Sequence, residues 1–195
     1  MNSTIDYYNS QARDYFDSTS EIDLTELYEV FLQYIPEGGR IIDLGCGSGR
    51  DVKWFIENGY RASGIDASSE LIQIARERWG IPVEVGLIEE WVTEETFDGI
   101  WCCGSLMHLD FEEVKQFFAK LKNVMKKNGV LFMSVKSDIK TGEDEIGRFF
   151  ENYTEKDIKA LVEYAGDLKI QTMWYTEDRL AREDFRWLNA IIKLS

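Results

Sequence analysis

Residues 41–50 read Ile-Ile-Asp-Leu-Gly-Cys-Gly-Ser-Gly-Arg, an apolar run that passes directly into a turn with glycine at every second position and then into a helical pattern. No other segment restricts the fold so strongly. Glycines after a strand let backbone pass close to a ligand, and in parallel sheets ligands bind at the carboxyl ends of the strands. The segment therefore predicts a nucleotide-type pocket in an α/β domain.

The flanking patterns agree. Apolar runs predict strands over 41–44, 62–65, 83–85, 97–103 and 130–135. Between them run amphipathic helices with inner faces Val52, Phe55 and Ile56, then Leu71, Ile72 and Ala75, then Val114, Phe117, Phe118, Leu121, Val124 and Met125. Asp110 with Glu113 opens the last of these and Asn128-Gly129 ends it. Parallel neighbours need crossovers, and right-handed ones place helices on both faces. Upstream, Ile5, Tyr8, Ala12, Tyr15 and Phe16 form one helical face behind Ser3 and Thr4, either a candidate cap. Asp23 and Glu26 form a capping-box pair before a helix bearing Leu24, Leu27, Tyr28, Phe31, Leu32 and Ile35, stopped by Pro36. Downstream, the polar residues 138–151 predict a mobile loop, and Thr154 with Asp157 caps a helix carrying Ile158, Leu161, Val162 and Ala165. Runs over 168–175 and 185–193, with no room for a crossover between them, predict an antiparallel pair. The expected class is α/β, a doubly wound, mostly parallel seven-stranded sheet with an antiparallel C-terminal edge pair and helices on both faces. With 195 residues, 44% of them hydrophobic, the chain suits one domain around one core.

Charge and cysteines exclude several functions. Twenty-two basic against 36 acidic residues give a net charge of −14, the opposite of a nucleic-acid footprint, so nucleic acid is an unlikely partner. Acidic residues crowd the stretch from Glu84 to Asp98, whereas 111–127 is net positive. Three cysteines, Cys46, Cys102 and Cys103, and one histidine argue against a metal site or a disulfide framework. Acidic residues fill the first thirty positions and no run approaches the roughly 18 apolar residues of a membrane span, so a cytoplasmic protein without membrane contact is expected.

The pocket's ligand is narrowed by what the loop lacks. Arg50 stands where a dinucleotide fingerprint has its last glycine, and the phosphate-loop pattern is absent. Asp43 would repel a pyrophosphate but attract an amino group. Asp66, roughly twenty residues beyond the glycines, suits ribose hydroxyls. A nucleoside carrying a positive charge meets both demands.

Asp43-Leu44-Gly45-Cys46-Gly47-Ser48-Gly49, Gly64-Ile65-Asp66-Ala67-Ser68, Phe97-Asp98-Gly99-Ile100-Trp101, Leu106-Met107-His108 and the 121–135 segment resemble the class I, Rossmann-like S-adenosylmethionine-dependent methyltransferases, in particular the small single-domain bacterial type. The resemblance implies S-adenosylmethionine as cofactor, S-adenosylhomocysteine as product, and no metal. It implies that Asp43 and the backbone of Gly45, Cys46 and Gly47 hold the methionine end, that Asp66 holds the ribose, and that Ala67 and Ile88 flank the adenine. Leu87 replaces an aspartate common in the family, which leaves the adenine amino group to backbone or to Glu89; Cys103 completes the implied cofactor set. One domain over 1–195 is expected, with helices in 1–36 as a lid, 37–136 as the cofactor half and 137–195 as the substrate half.

Methyl transfer needs chiefly positioning in a closed, dry site. His108, beyond the fourth strand, is either a general base or a brace for the cofactor. Tyr7, Tyr8, Tyr15, Arg148 and Trp174 are candidates for an acceptor pocket, with Arg179 and Arg182 as further anion binders. A small-molecule acceptor is the first expectation. The alternatives are RNA or protein methylation through the basic helix over 111–127, or S-adenosylmethionine binding without catalysis.

Overall fold

The alternation of apolar runs becomes one central sheet. The computed structural model describes residues 2–180 and 185–195. Five strands, Arg40–Leu44 (β1), Arg61–Asp66 (β2), Val83–Val85 (β3), Phe97–Cys103 (β4) and Met125–Ser137 (β5), run parallel. After the two-residue strands Gly142–Glu143 (β6) and Phe149–Phe150 (β7) come Leu168–Thr176 (β8) and Arg186–Leu194 (β9), and the order in the sheet is β3-β2-β1-β4-β5-β9-β8. The expected antiparallel pair is present, with β9 against β5 and β8 outermost. The chain winds from β1 toward β3, then returns across β1 to β4. The carboxyl ends of β1 and β4 thus form a switch point, where a crevice opens.

Alternate residues of each strand face two apolar layers. Ile42, Leu44, Ile100, Cys102, Leu131 and Met133 meet helices Phe111–Val124 (α6) and Glu155–Ala165 (α7). Ile41, Trp101, Val130 and Phe132 meet helices Thr25–Leu32 (α3), Arg50–Glu57 (α4) and Ser69–Trp79 (α5). Trp101 stacks on Phe132 with ring centroids 3.9 Å apart. Capping boxes Asp110/Glu113 and Thr154/Asp157 start α6 and α7 as the sequence predicts. Helices Asn2–Ser10 (α1) and Ala12–Thr19 (α2) lie on α5, where Ala12 and Phe16 pack against Leu71.

Several local expectations are corrected. Ser3 and Thr4 lie inside α1 and cap nothing; Thr4 is buried and accepts from the Phe149 backbone N–H. The N-terminal face is two helices, broken at Gln11. Asp23 accepts from the Thr25 N–H, but Glu26 does not reach back, being drawn instead to Arg179. Ile56 is 37% exposed, because its position on α4 points past the sheet. α6 stops at Val124, before Asn128-Gly129; Met125 already pairs with Phe97, and Asn128 makes a bend within β5. Residues 138–151 are not an open loop. β6 and β7 pair there as a ribbon, and Phe150 is buried beneath it.

Candidate active site

At the switch point a cleft of about 760 Å³ opens, lined by Gly45, Gly47, Asp66, Ala67 and Ser68, by the 86–89 segment, and by the 103–105 turn with His108. Thr4, Ile5 and Tyr8 of α1 and Tyr15 of α2 close it from above. The glycine loop is built for close approach. Gly45 and Cys46 both donate to the Ile65 carbonyl, at 2.8 and 2.9 Å, folding the loop onto the end of β2. Gly45 has φ +82°, and a Cβ there would lie 2.3 Å from the Cβ of Ser105, so both the conformation and the space require glycine.

Asp66 ties the loop together. Its Oδ2 accepts from the Gly47 N–H and its Oδ1 from the Ser68 N–H, both at 2.8 Å. A carboxylate has about four lone-pair sites, so acceptor capacity remains toward the cleft. Burial raises its pKa against the pull of the two N–H groups. Asp43 is buried near the end of β1, and burial, with the Asp51 carboxylate nearby, lifts its pKa well above the ordinary value. Among the described residues five buried side-chain polar atoms have no partner; Glu89 Oε1 and Ser105 Oγ belong to residues lining this cleft, and a third, Asp43 Oδ2, belongs to a residue at the end of β1 that does not line it. Buried polar groups are nearly always satisfied, so this cluster marks the place of a ligand. Two of the three are carboxylate oxygens that require donors, and no Lys or Arg lines the cleft. Such walls fit a ligand offering ammonium, amino and hydroxyl groups and repel a pyrophosphate.

His108 sits in a short 3-10 turn, Leu106–His108, after β4. Its Nδ1 is 2.7 Å from the Phe149 carbonyl, which can only accept, so Nδ1 carries the proton. Nε2 therefore accepts from the Tyr8 hydroxyl at 3.0 Å. Burial, with Arg148 and Lys136 nearby, pushes the His108 pKa down to about 4 against the pull of the Phe149 carbonyl. The ring is neutral at pH 7 and both nitrogens are engaged.

A second cleft of about 880 Å³ shares Tyr8, Tyr15, Cys103 and Gly104 with the first. Arg50, Lys136, Arg148 and Arg179 line it. Arg148 is held by Asp144, Nη2 to Oδ2 at 2.8 Å, and lies between the rings of Tyr7 and Phe150, 4.8 and 5.1 Å from their centroids. Arg50 is gripped by Asp51, which also accepts from Tyr28 and Trp101 at 2.6 and 2.8 Å. Burial alone would raise the Asp51 pKa, but Arg50 and these donors hold it below the usual range.

The structure gathers most of the expected residues. Gly45, Gly47, Asp66, Ala67, Leu87, Ile88, Glu89, Cys103, His108, Tyr8 and Tyr15 line the first cleft, and Arg148 and Arg179 the second. Cys46 turns its side chain into the core, where a Cβ on Gly64 would meet it at 2.8 Å, and offers the loop only its backbone. Tyr7 stands behind Tyr8 against Arg148. Trp174 lines neither cleft, because its ring faces Phe132 on the α3 side of the sheet. Arg182 lies outside the described residues. Thr4, Ser105, Lys136 and Trp187 were not anticipated. Only the position of Ser105, just past the glycine that ends β4, carried a signal in the sequence.

Residues 41–129 match the methyltransferase domain family. Over these residues the chain is similar to the S-adenosylmethionine-dependent methyltransferases. A Bacillus subtilis protein named as a methyltransferase, YqeM, is 33% identical over 116 residues, 56% of this chain and 47% of that protein. The ubiquinone biosynthesis O-methyltransferase of Pasteurella multocida is 28% identical over 156 residues, 67% of this chain and 62% of that enzyme. The chain spans about half the length of the first of these relatives, 47%. The fold is shared with the Burkholderia thailandensis 1,6-didemethyltoxoflavin-N1-methyltransferase, whose structure holds 1,6-didemethyltoxoflavin and S-adenosylhomocysteine. The TM-score is 0.79 at 19% identity, covering 100% of this chain and 88% of that one. In this methyltransferase family the cofactor is S-adenosylmethionine. No helix among the described residues is long and apolar enough to cross a membrane.

Proposed function

We propose that this chain transfers a methyl group from S-adenosylmethionine, held in the first cleft, to a small-molecule acceptor. One observation carries the assignment: among the described residues the cleft at the switch point is lined by two carboxylates, Asp66 and Glu89, the latter with a buried oxygen that has no partner, and by no cation to receive a phosphate. Asp66 has lone pairs left for ribose hydroxyls, and Ala67 and Ile88 stand where a base would lie. Glu89 supplies the acceptor that Leu87 cannot, and Asp43 the counter-charge for an ammonium group. When bound, S-adenosylmethionine supplies a methyl carbon already activated by its sulfonium. The chain's own contribution is to orient and to keep out water. α1 and α2 act as the lid: Thr4 bonds to Phe149, Tyr8 to His108, and Asn9 to Ser68 at 2.8 Å, so the closed state is fastened at three points. His108 acts here as a positioning residue that holds Tyr8.

A small acceptor suits a second cleft enclosed by the lid and the β6–β7 ribbon. The lysines of the basic helix α6 are engaged elsewhere, Lys115 with Glu112 and Lys122 with Asp167. Labelled S-adenosylmethionine incubated with the protein and separate metabolite, RNA and protein fractions tests the assignment. Label is expected in the metabolite fraction; label in RNA or protein alone would overturn the small-molecule acceptor, and no transfer to any fraction would leave a binding protein.

A further inference from the structure

The two clefts meet at Tyr8, Tyr15, Cys103 and Gly104 but differ in charge, the first lined by carboxylates and the second by four cations with Glu177 and Asp178 on the segment after β8. His108, beside their junction, is not free to take a proton: it uses its lone pair on Tyr8 and its proton on Phe149. Moving the Tyr8 proton onto His108 would run from a phenol whose ordinary pKa of 10.0 burial raises further to an imidazole pushed down to about 4, a gap above about six pKa units or a millionfold. The acceptor must therefore arrive with its reacting lone pair available.

The charges at the junction choose which kind of acceptor that is. Burial works against any charge beside His108, but of the charged groups nearest it Arg148 and Lys136 oppose a proton and Asp144 favours one, so between two charged acceptors the balance there favours an anion over an ammonium. Asp144 engages the Nε–Nη2 edge of Arg148, and a guanidinium carries donors beyond it. Packing between Tyr7 and Phe150 fixes its plane. Lys136 places Nζ 3.9 Å from the centroid of Phe150 and 4.4 Å from that of Phe185. The aromatic and aliphatic walls, Tyr15, Trp187, Leu24 and Met107, suit a flat, apolar body.

Resting on the methyltransferase assignment above, we propose that the second cleft takes a flat conjugated O–H or N–H acid and presents it to the first cleft as its anion, with Arg148 and Lys136 supplying the counter-charge. The acceptor's proton leaves to water on binding. Its lone pair then forms the new bond to the methyl carbon while the C–S bonding pair returns to sulfur, so no side chain exchanges a proton.

The test uses the full chain saturated with S-adenosylhomocysteine and 4-nitrophenol as probe, whose anion alone absorbs near 400 nm. Calorimetry first establishes that S-adenosylhomocysteine binds. The bound probe should ionise at least about one pKa unit below the free probe, a tenfold gain in the anion's share. Arg148→Met and Lys136→Met, on separate elements, should each erase most of that shift and weaken probe binding about tenfold while S-adenosylhomocysteine affinity stays within threefold. Arg148→Lys should restore part of it. If S-adenosylhomocysteine binds but the probe's pKa is unchanged or raised, or if 4-nitroaniline binds more tightly than 4-nitrophenol, the anionic acceptor is overturned alone. If S-adenosylhomocysteine does not bind, the cofactor assignment fails and this inference falls with it.

Discussion

Replacing Asp66 by Asn separates its two roles. Structurally, the carboxylate accepts two backbone N–H groups at 2.8 Å, from Gly47 and Ser68. An amide of the same shape can serve only one of them with its oxygen and confronts the other with a donor. Leaving one buried donor unmet costs about 1 to 3 kcal/mol, which should appear as a lower unfolding midpoint in urea. Functionally, the remaining lone pairs are assigned to ribose hydroxyls, and bonds to a charged group contribute about 1.5 to 3 kcal/mol. Affinity for S-adenosylhomocysteine by calorimetry should then fall roughly 10- to 150-fold. Measured well below the unfolding transition, the two effects are independent. A variant that loses stability yet binds S-adenosylhomocysteine as tightly as the parent would show that Asp66 only clamps the loop, and the ribose assignment would be wrong.

Three further predictions concern α1, α2 and the residues that hold them. His108 has a native pKa of about 4 against about 6.5 when unfolded, so the unfolded chain takes the proton first and stability drains away as pH falls through that window. His108→Gln should therefore remove about 2 to 3 kcal/mol of the parent's pH-dependence between pH 6.5 and 4, measured as the difference in urea stability between the two proteins; parallel curves would refute the depressed pKa. Because the imidazole is not free to act as a base, the same variant should keep turnover within about tenfold and show no limb near pH 6.5, whereas a loss beyond a hundredfold with cofactor affinity intact would restore His108 as the base. Deleting residues 1–20 should leave a cooperatively folding protein that binds S-adenosylhomocysteine at least about tenfold more weakly; loss of cooperative thermal unfolding would make α1 and α2 core rather than lid.

What the sequence disclosed depended on the range of the interaction. The ends of β3 and β4 and both capping boxes rest on neighbours within a few residues, and each was predictable. The cleft at the switch point was legible because a glycine turn and Asp66 lie on consecutive strands of one βαβ unit. What failed is non-local. Nothing near Tyr8 announces His108, 100 positions away, or near Thr4 announces Phe149, 145 away, so the contacts that hold α1 in place were invisible. Residues 138–151 looked like a mobile loop because their order comes from pairing within a short ribbon and from burying Phe150. Trp174 was misplaced because alternation along β8 fixes two faces without saying which one meets a cleft. Its ring went to Phe132 instead.

The central claim is that the acceptor-walled cleft at the end of β1 holds the cofactor. A crystal structure of the protein grown with S-adenosylhomocysteine tests it most directly. The ribose hydroxyls are expected on Asp66, the adenine between Ala67 and Ile88 with its amino group toward Glu89, and the ammonium beside the glycine loop on the side of Asp43. The thioether sulfur should face Tyr8 and the second cleft. Density in the second cleft instead, among Arg148 and Lys136, or an adenine placed away from Glu89 with Asp43 still unpartnered, would contradict it.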